Sequence, residues 1–102
     1  MEDKNFYYKK DRLSQLRGFC AVVENECSIA KASKKLCLTS SAISKQISSL
    51  EKDMNIILFN RTNNNRIVIT KTGEEFYKDS FKKLKGIENL FLKFKNCKIN
   101  KI

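Results

Sequence analysis

Apolar residues recur along this chain at the three- and four-residue steps of a helix in four places, and in two short blocks suited to a hairpin in one. Leu13, Leu16, Phe19, Cys20 and Val23 share one face of a first helix running from about Asp11 to Asn25. Ser28 is suited to cap the free amides of a new turn. Ala30, Ala32, Ser33 and Leu36 then give a short second helix with a small, closely packing face, and Cys37 and Leu38 make the turn after it. Thr39 or Ser40 caps a third helix, whose Ile43, Ile47, Leu50 and Met54 line a single stripe, and Asn55, tolerant of the left-handed conformation, ends it. Ile56 to Phe59 and Ile67 to Ile69 are β-prone blocks around the polar run NRTNNNR, which predicts a hairpin wing with Asn63, Asn64 and Asn65 supplying positive φ without glycine.

A fourth, longer helix follows. Thr70 and Thr72 precede it, and Thr72 with Glu75 has the capping-box spacing. Tyr77, Ser80, Leu84, Ile87, Phe91 and Phe94 step by three and four as heptad a and d positions, widened by Phe76 and Leu90. Such a stripe runs past the last globular element, so it either meets a second copy or folds back onto the first helix. Dimerisation through Tyr77, Leu84, Ile87, Phe91 and Phe94 is the expectation, because one small domain cannot cover so much apolar surface. The pattern as a whole predicts a mainly α chain: three helices and a short β-hairpin, then a long helix.

Composition narrows the chemistry. At 102 residues with 41% hydrophobic content the chain builds one modest core, which excludes a large multidomain enzyme. Its 21 Lys and Arg against 11 Asp and Glu leave a net charge of +10. Residues 1–27 are neutral, residues 28–56 carry +3, residues 57–70 carry +2 and residues 71–102 carry +5. This distribution suits a polyanion-facing surface built from the middle and the C-terminal half, although a general bias towards lysine accounts equally well for the C-terminal share. No His is present, which removes imidazole catalysis and Cys/His zinc sites. Cys20, Cys27, Cys37 and Cys97 form no C-x-x-C pair and are expected to be free thiols. With three Gly and no glycine-rich phosphate loop, an enzyme is not expected, and neither is a cofactor or metal. The first ten residues, MEDKNFYYKK, lack the apolar core of a signal peptide, and no apolar run is long enough to span a bilayer; a cytoplasmic, nucleoid-associated protein without membrane contact is expected.

The outer face of the third helix is distinctive for what it lacks. Ser41, Ser44, Lys45, Ser48, Ser49 and Lys52 include no acid and no bulky apolar group, the character a helix needs to bring its backbone close to base edges and phosphates in a major groove. Glu51 and Asp53 mix the signs near the C-terminal end, so the groove-facing half is the one from Thr39 to Ser48. Arg61 and Arg66 flank the hairpin tip, where a phosphate backbone or a minor groove is within reach; an ordinary solvent loop is the alternative.

With these elements in place, the runs LRGFCAVVENECSIAKASKKL, LTSSAISKQISSLEKDMNIILFNR and IVITKTG resemble the N-terminal DNA-binding domain of LysR-type transcriptional regulators, continuously from about Leu13 to Gly73. The run SKQISSLEKDMNIILFNR fits this family better than the molybdate-responsive regulators with a similar N-terminal domain. The resemblance implies an N-terminal tail (1–10), a winged helix-turn-helix domain (11–70) and a dimerising linker helix (71–97) before a C-terminal tail (98–102). Within the domain it implies a helix-turn-helix over 28–47, a recognition helix over 39–53 and a wing over 58–70. It further implies a dimer on double-stranded DNA that reaches bases or nearby phosphates through Ser40, Ser41, Ser44 and Lys45, with Arg61 a matched position; together with Ser28, Lys31, Thr39, Ser48 and Arg66 these make the expected contacting set. Ser40 stands where the family usually has Gln, which alters base preference, and Arg61 is expected to serve a phosphate or a carboxylate such as Glu51. Cys27 and Asn55 replace family glycines; Cys27 is either a tolerated small residue or a redox sensor. The family normally continues into an effector domain, so no small-molecule effector site is expected within these residues. A regulator that forms homodimers, or an interaction protein that pairs with full-length relatives and antagonises them, both follow.

Overall fold

The computed structural model describes residues 10–62 and 66–97, so the expectations on Asn63, Asn64 and Asn65 and on most of both tails lie outside the described residues. Four helices and one hairpin are present there: α1 (Arg12–Glu24), α2 (Ile29–Leu36), α3 (Ser40–Met54), β1 (Phe59–Arg61), β2 (Ile67–Ile69) and α4 (Lys71–Cys97). The architecture is mainly α with a winged helix-turn-helix arrangement.

Side-chain caps start the first three helices. The Asp11 carboxylate accepts the Ser14 N–H at 3.1 Å, Ser28 Oγ accepts from the Lys31 N–H at 3.1 Å, and Thr39 Oγ1 accepts from the Ala42 N–H at 3.0 Å. The same three helices end alike. A left-handed residue lets the chain turn back, and an amide five residues on reaches a helix carbonyl: Cys27 N to Val22 O at 2.8 Å, Leu38 N to Ser33 O at 2.9 Å and Ile56 N to Glu51 O at 3.1 Å. The left-handed residues are Glu26, Cys37 and Asn55, with Cys27 a second one directly after Glu26. Four side chains thus occupy a conformation that favours glycine.

Helix α1 is the hub, packed by α2, α3 and α4. Phe19 is fully buried at its centre, with the rings of Phe76, Phe59 and Tyr77 at 5.3, 5.5 and 6.4 Å, and with Val22, Ala32, Ile43 and Leu58 completing the core. Burying one such side chain contributes about 1.5 to 3 kcal/mol.

Two expectations shift. The first strand begins at Phe59 rather than Ile56, because the amides of Leu58 and Phe59 are both taken by Glu51 Oε2, at 2.7 and 3.1 Å. The ladder therefore holds only Phe59↔Ile69, Asn60↔Val68 and Arg61↔Ile67. Thr70, not Thr72, caps α4. Its Oγ1 accepts the Gly73 N–H at 2.9 Å and donates to Ile57 O at 2.6 Å, while its own N–H reaches Leu58 O at 2.9 Å. Thr72 lies inside the first turn, where no capping box with Glu75 forms. Gly73 is required by proximity, since a Cβ there would stand 2.4 Å from Leu58 O.

Candidate nucleic-acid interface

Three elements converge on one side of the domain. The buried stripe Ile43, Ile47 and Leu50 fixes the rotation of α3 against α1 and turns Ser41, Lys45 and Ser48 outward, with Ser44 half-buried beside them. Glu51, one turn beyond Ile47, grips the amides of Leu58 and Phe59 and so ties the hairpin to the same helix. A small cavity of about 90 Å³ joins Ser44, Ser48 and Glu51 of α3 to Arg61 and Ile67 of the hairpin. Arg61 also lines a wider cleft of about 880 Å³ together with Ser28, Lys31 and Arg66. The structure thus brings together Ser28, Lys31, Ser44, Ser48, Arg61 and Arg66 around two adjoining depressions. Thr39, Ser40, Ser41 and Lys45 lie along the exposed N-terminal end of α3.

The partners of these side chains differ. Ser28 and Thr39 spend their hydroxyl oxygens on helix caps. Ser40 Oγ lies 3.4 Å from the Oγ of buried Ser33, so this hydroxyl is turned partly towards α2. Lys31 is ion-paired with Glu26, which holds the Glu26 carboxyl below its ordinary range, through their hydrogen bond above all. Lys45, Arg61 and Arg66 are exposed and make no ion pair among the described residues, which leaves two uncommitted cations at the depressions and a third on the outer face of α3. Of the two partners open to Arg61, the Glu51 carboxylate is engaged with backbone amides instead.

Several contributors were not evident from the residues alone. Lys34 and Lys35 add exposed positive charge in the last turn of α2, just before α3 begins. Asp53, near the end of α3, accepts from Lys10 at 2.9 Å and Arg12 at 3.1 Å, which holds its carboxyl below the ordinary range and pins α3 to the start of α1. The signal for this pin was the lone Asp opposite two cations some forty positions away, which no local spacing rule detects.

The long stripe on α4 divides. Leu84 is buried on the domain and Tyr77 donates its hydroxyl to Glu24 at 2.9 Å, so these two expected dimer residues serve the chain's own core. Ile87 is half-buried, whereas Phe91 and Phe94 are 69% and 60% exposed; Leu90, on the same side, and Leu92, turned away from them, are exposed too. The stripe is therefore divided: its proximal half packs on the domain, and its distal half is exposed on this chain.

Among the cysteines, Cys20 is buried, and this burial, followed by the Glu24 and Glu88 carboxylates, pushes its thiol up to about 12. Cys27 is half-buried on the wall of the wider cleft and Cys37 is exposed. No helix among the described residues is long and apolar enough to cross a membrane.

Comparison with known proteins places this geometry. The family described as bacterial regulatory helix-turn-helix protein, lysR family, matches residues 13–74. The HTH-type transcriptional regulator BenM of Acinetobacter baylyi is 36% identical over 78 residues, 76% of this chain and 25% of that protein. A probable RuBisCO transcriptional regulator of Phaeodactylum tricornutum is 44% identical over 64 residues, 63% of this chain and 20% of that protein. The chain spans about a quarter of the length of the curated relatives it matches. Among solved structures, the BenM DNA-binding domain in complex with catB site 1 DNA superposes with a TM-score of 0.73 at 36% identity, covering 82% of this chain and 92% of that one. The CbnR DNA-binding domain in its DNA complex gives 0.70 at 27% identity, covering 83% and 95%.

Proposed function

Since the chain belongs to the LysR family of bacterial helix-turn-helix regulators, we propose that it binds duplex DNA as a dimer, with α3 in a major groove and the hairpin on the flanking backbone, and so regulates transcription. The observation that carries this reading is the position of Arg61. It lines both depressions, so one cation links the groove-facing serines of α3 to the N-terminus of α2 and to Arg66. Small hydroxyls on α3 allow close approach to base edges, Lys45 and the two arginines neutralise phosphates, and the α2 N-terminus adds its dipole. The serine at position 40, already engaged with Ser33, fits a role in seating α3 on α2 more than one in reading adenine.

Dimerisation follows from the distal half of α4. Phe91 and Phe94 with Ile87 form an apolar ridge that a second helix of the same kind would cover. A second copy satisfies it by twofold symmetry, which places two α3 helices on half-sites about one helical turn, or a multiple, apart. A related regulator's helix would satisfy it equally, so pairing with relatives stands as the second reading. The experiment selects a preferred site from random duplex DNA with the wild-type chain and then titrates Lys45→Glu against that selected site. We expect a loss of binding of at least about tenfold, in line with a reversed charge at a phosphate or base contact, and unchanged affinity would overturn the assignment.

A further inference from the structure

The face of α4 opposite the apolar ridge carries a second charged feature that the recognition surface does not use. At about 100° per residue, Lys71, Lys78, Lys82, Lys85 and Lys93 fall within about 80° of one another, centred opposite Ser80, Leu84, Ile87 and Phe91. All five are exposed. Between Lys71 and Lys93, Glu75 is the one acid in that sector and Asn89 the one neutral residue; no apolar side chain falls inside it, exposed Leu92 lying about 20° beyond its edge. Lys85 is 3.5 Å from Glu88, while Lys71, Lys78, Lys82 and Lys93 make no ion pair among the described residues. The strip is about 33 Å long, from a rise of about 1.5 Å per residue.

We infer that this lysine face of α4 is a second, sequence-independent binding surface for the phosphodiester backbone of duplex DNA, separate from the α3 and hairpin surface. Charge complementarity selects the occupant. A duplex offers one negative charge per about 1.7 Å of axis, so a strip of this length meets phosphates along its whole course. A folded protein partner would need apolar or aromatic anchors, and lysine is depleted where such anchors bury. A bilayer would need apolar side chains entering the interface on the same side. The sector has neither. It also stays open when the ridge is covered, because ridge and lysines lie on opposite sides of one helix. The consequence is a chain that holds a site with α3 and a neighbouring stretch of duplex with α4.

The test uses the whole chain carrying Lys78→Gln, Lys82→Gln and Lys85→Gln, alone and combined with Lys45→Glu, with helicity checked by circular dichroism. Binding to random-sequence duplex is measured across salt, together with capture of a labelled free duplex on a bead-bound one. We expect the triple variant to lower the slope of log affinity against log salt by about 2 to 3, at about 0.9 per lost phosphate contact, and to abolish capture, with the selected site still recognised. An unchanged slope and unchanged capture overturn the inference. So does a loss confined to polyglutamate or to phosphatidylglycerol vesicles. The reading of α3 fails separately, if Lys45→Glu leaves recognition of the selected site intact whatever the lysine variant does.

Discussion

Glu51 Oε2 accepts the backbone N–H of Leu58 at 2.7 Å, and by this bond the helix that carries Ser44, Lys45 and Ser48 also holds the root of the hairpin. The same oxygen takes the Phe59 amide at 3.1 Å. A charged acceptor serving two amides at the edge of the core is among the stronger hydrogen-bonding arrangements a small domain has.

Glu51→Ala leaves both amides without that acceptor and is expected to lower stability by about 1 to 3 kcal/mol. Urea denaturation reads the loss directly. DNA affinity should fall further than in a variant equally destabilised at a remote site, because the hairpin that carries Arg61 beside Ser44 and Ser48 loses its tie to α3. Equal losses in the two variants would deny Glu51 a positioning role.

Gly73→Ala puts a methyl group 2.4 Å from Leu58 O and 2.8 Å from the Ile69 side chain. Backbone has to move, so a cost of about 1 to 3 kcal/mol is expected, as for other overpacked sites. Gly86→Ala is the control, since a Cβ there meets nothing within 4 Å, and inside a helix it should stabilise by about 0.5 to 1 kcal/mol. A thermal melt that ranks the two variants the other way would reject this packing account.

Stability should decline on the alkaline side. The Cys20 thiol is pushed from 9.0 to about 12 by burial and by the nearby Glu24 and Glu88 carboxylates, and the Tyr77 phenol from 10.0 to about 12 by desolvation and by its bond to Glu24. The unfolded chain therefore loses these protons first, and the folded state loses stability as pH rises from about 9 towards 12. Cys20→Ala should flatten the decline measured by urea titrations at several pH values. A wild-type slope in that variant would mean the thiol does not contribute.

Phe91→Asp places a charge on the exposed ridge without touching the core, since Phe91 is 69% exposed. Sedimentation equilibrium should show self-association weakened by about 30-fold or more, the equivalent of about 2 kcal/mol for a central aromatic contact. An unchanged distribution would remove the ridge from both the homodimer and the mixed-dimer readings. The fold itself should be unaffected, which circular dichroism would establish.

Helix positions and caps were legible in the residues because both are local. Ser28, Thr39 and Asn55 act through amides within a few positions, and the stripe Ile43, Ile47 and Leu50 faces the core as its period requires. What escaped detection was long-range or two-sided. The strand start depended on Glu51 taking amides seven and eight positions away. The cap of α4 depended on Thr70 being needed by the hairpin, and the division of the α4 stripe depended on where α1 stops covering it. At the candidate interface, residue types and their side of the helix could be read. That Ser40 leans on Ser33 and Lys31 on Glu26 required the folded chain.

Thr70 closes the hairpin and opens α4 with one hydroxyl, bonded at once to Ile57 O and to the Gly73 amide, while Gly73 lies flush against Leu58. There is no slack residue between wing and long helix. The angle at which α4 leaves the domain is thus set at its first turn, which makes α4 an arm of fixed origin. In any pair joined at the distal end of that arm, the separation and tilt of the two α3 helices become a machined dimension of the protein. Under the proposed reading, a duplex held by both helices would have to conform to that dimension.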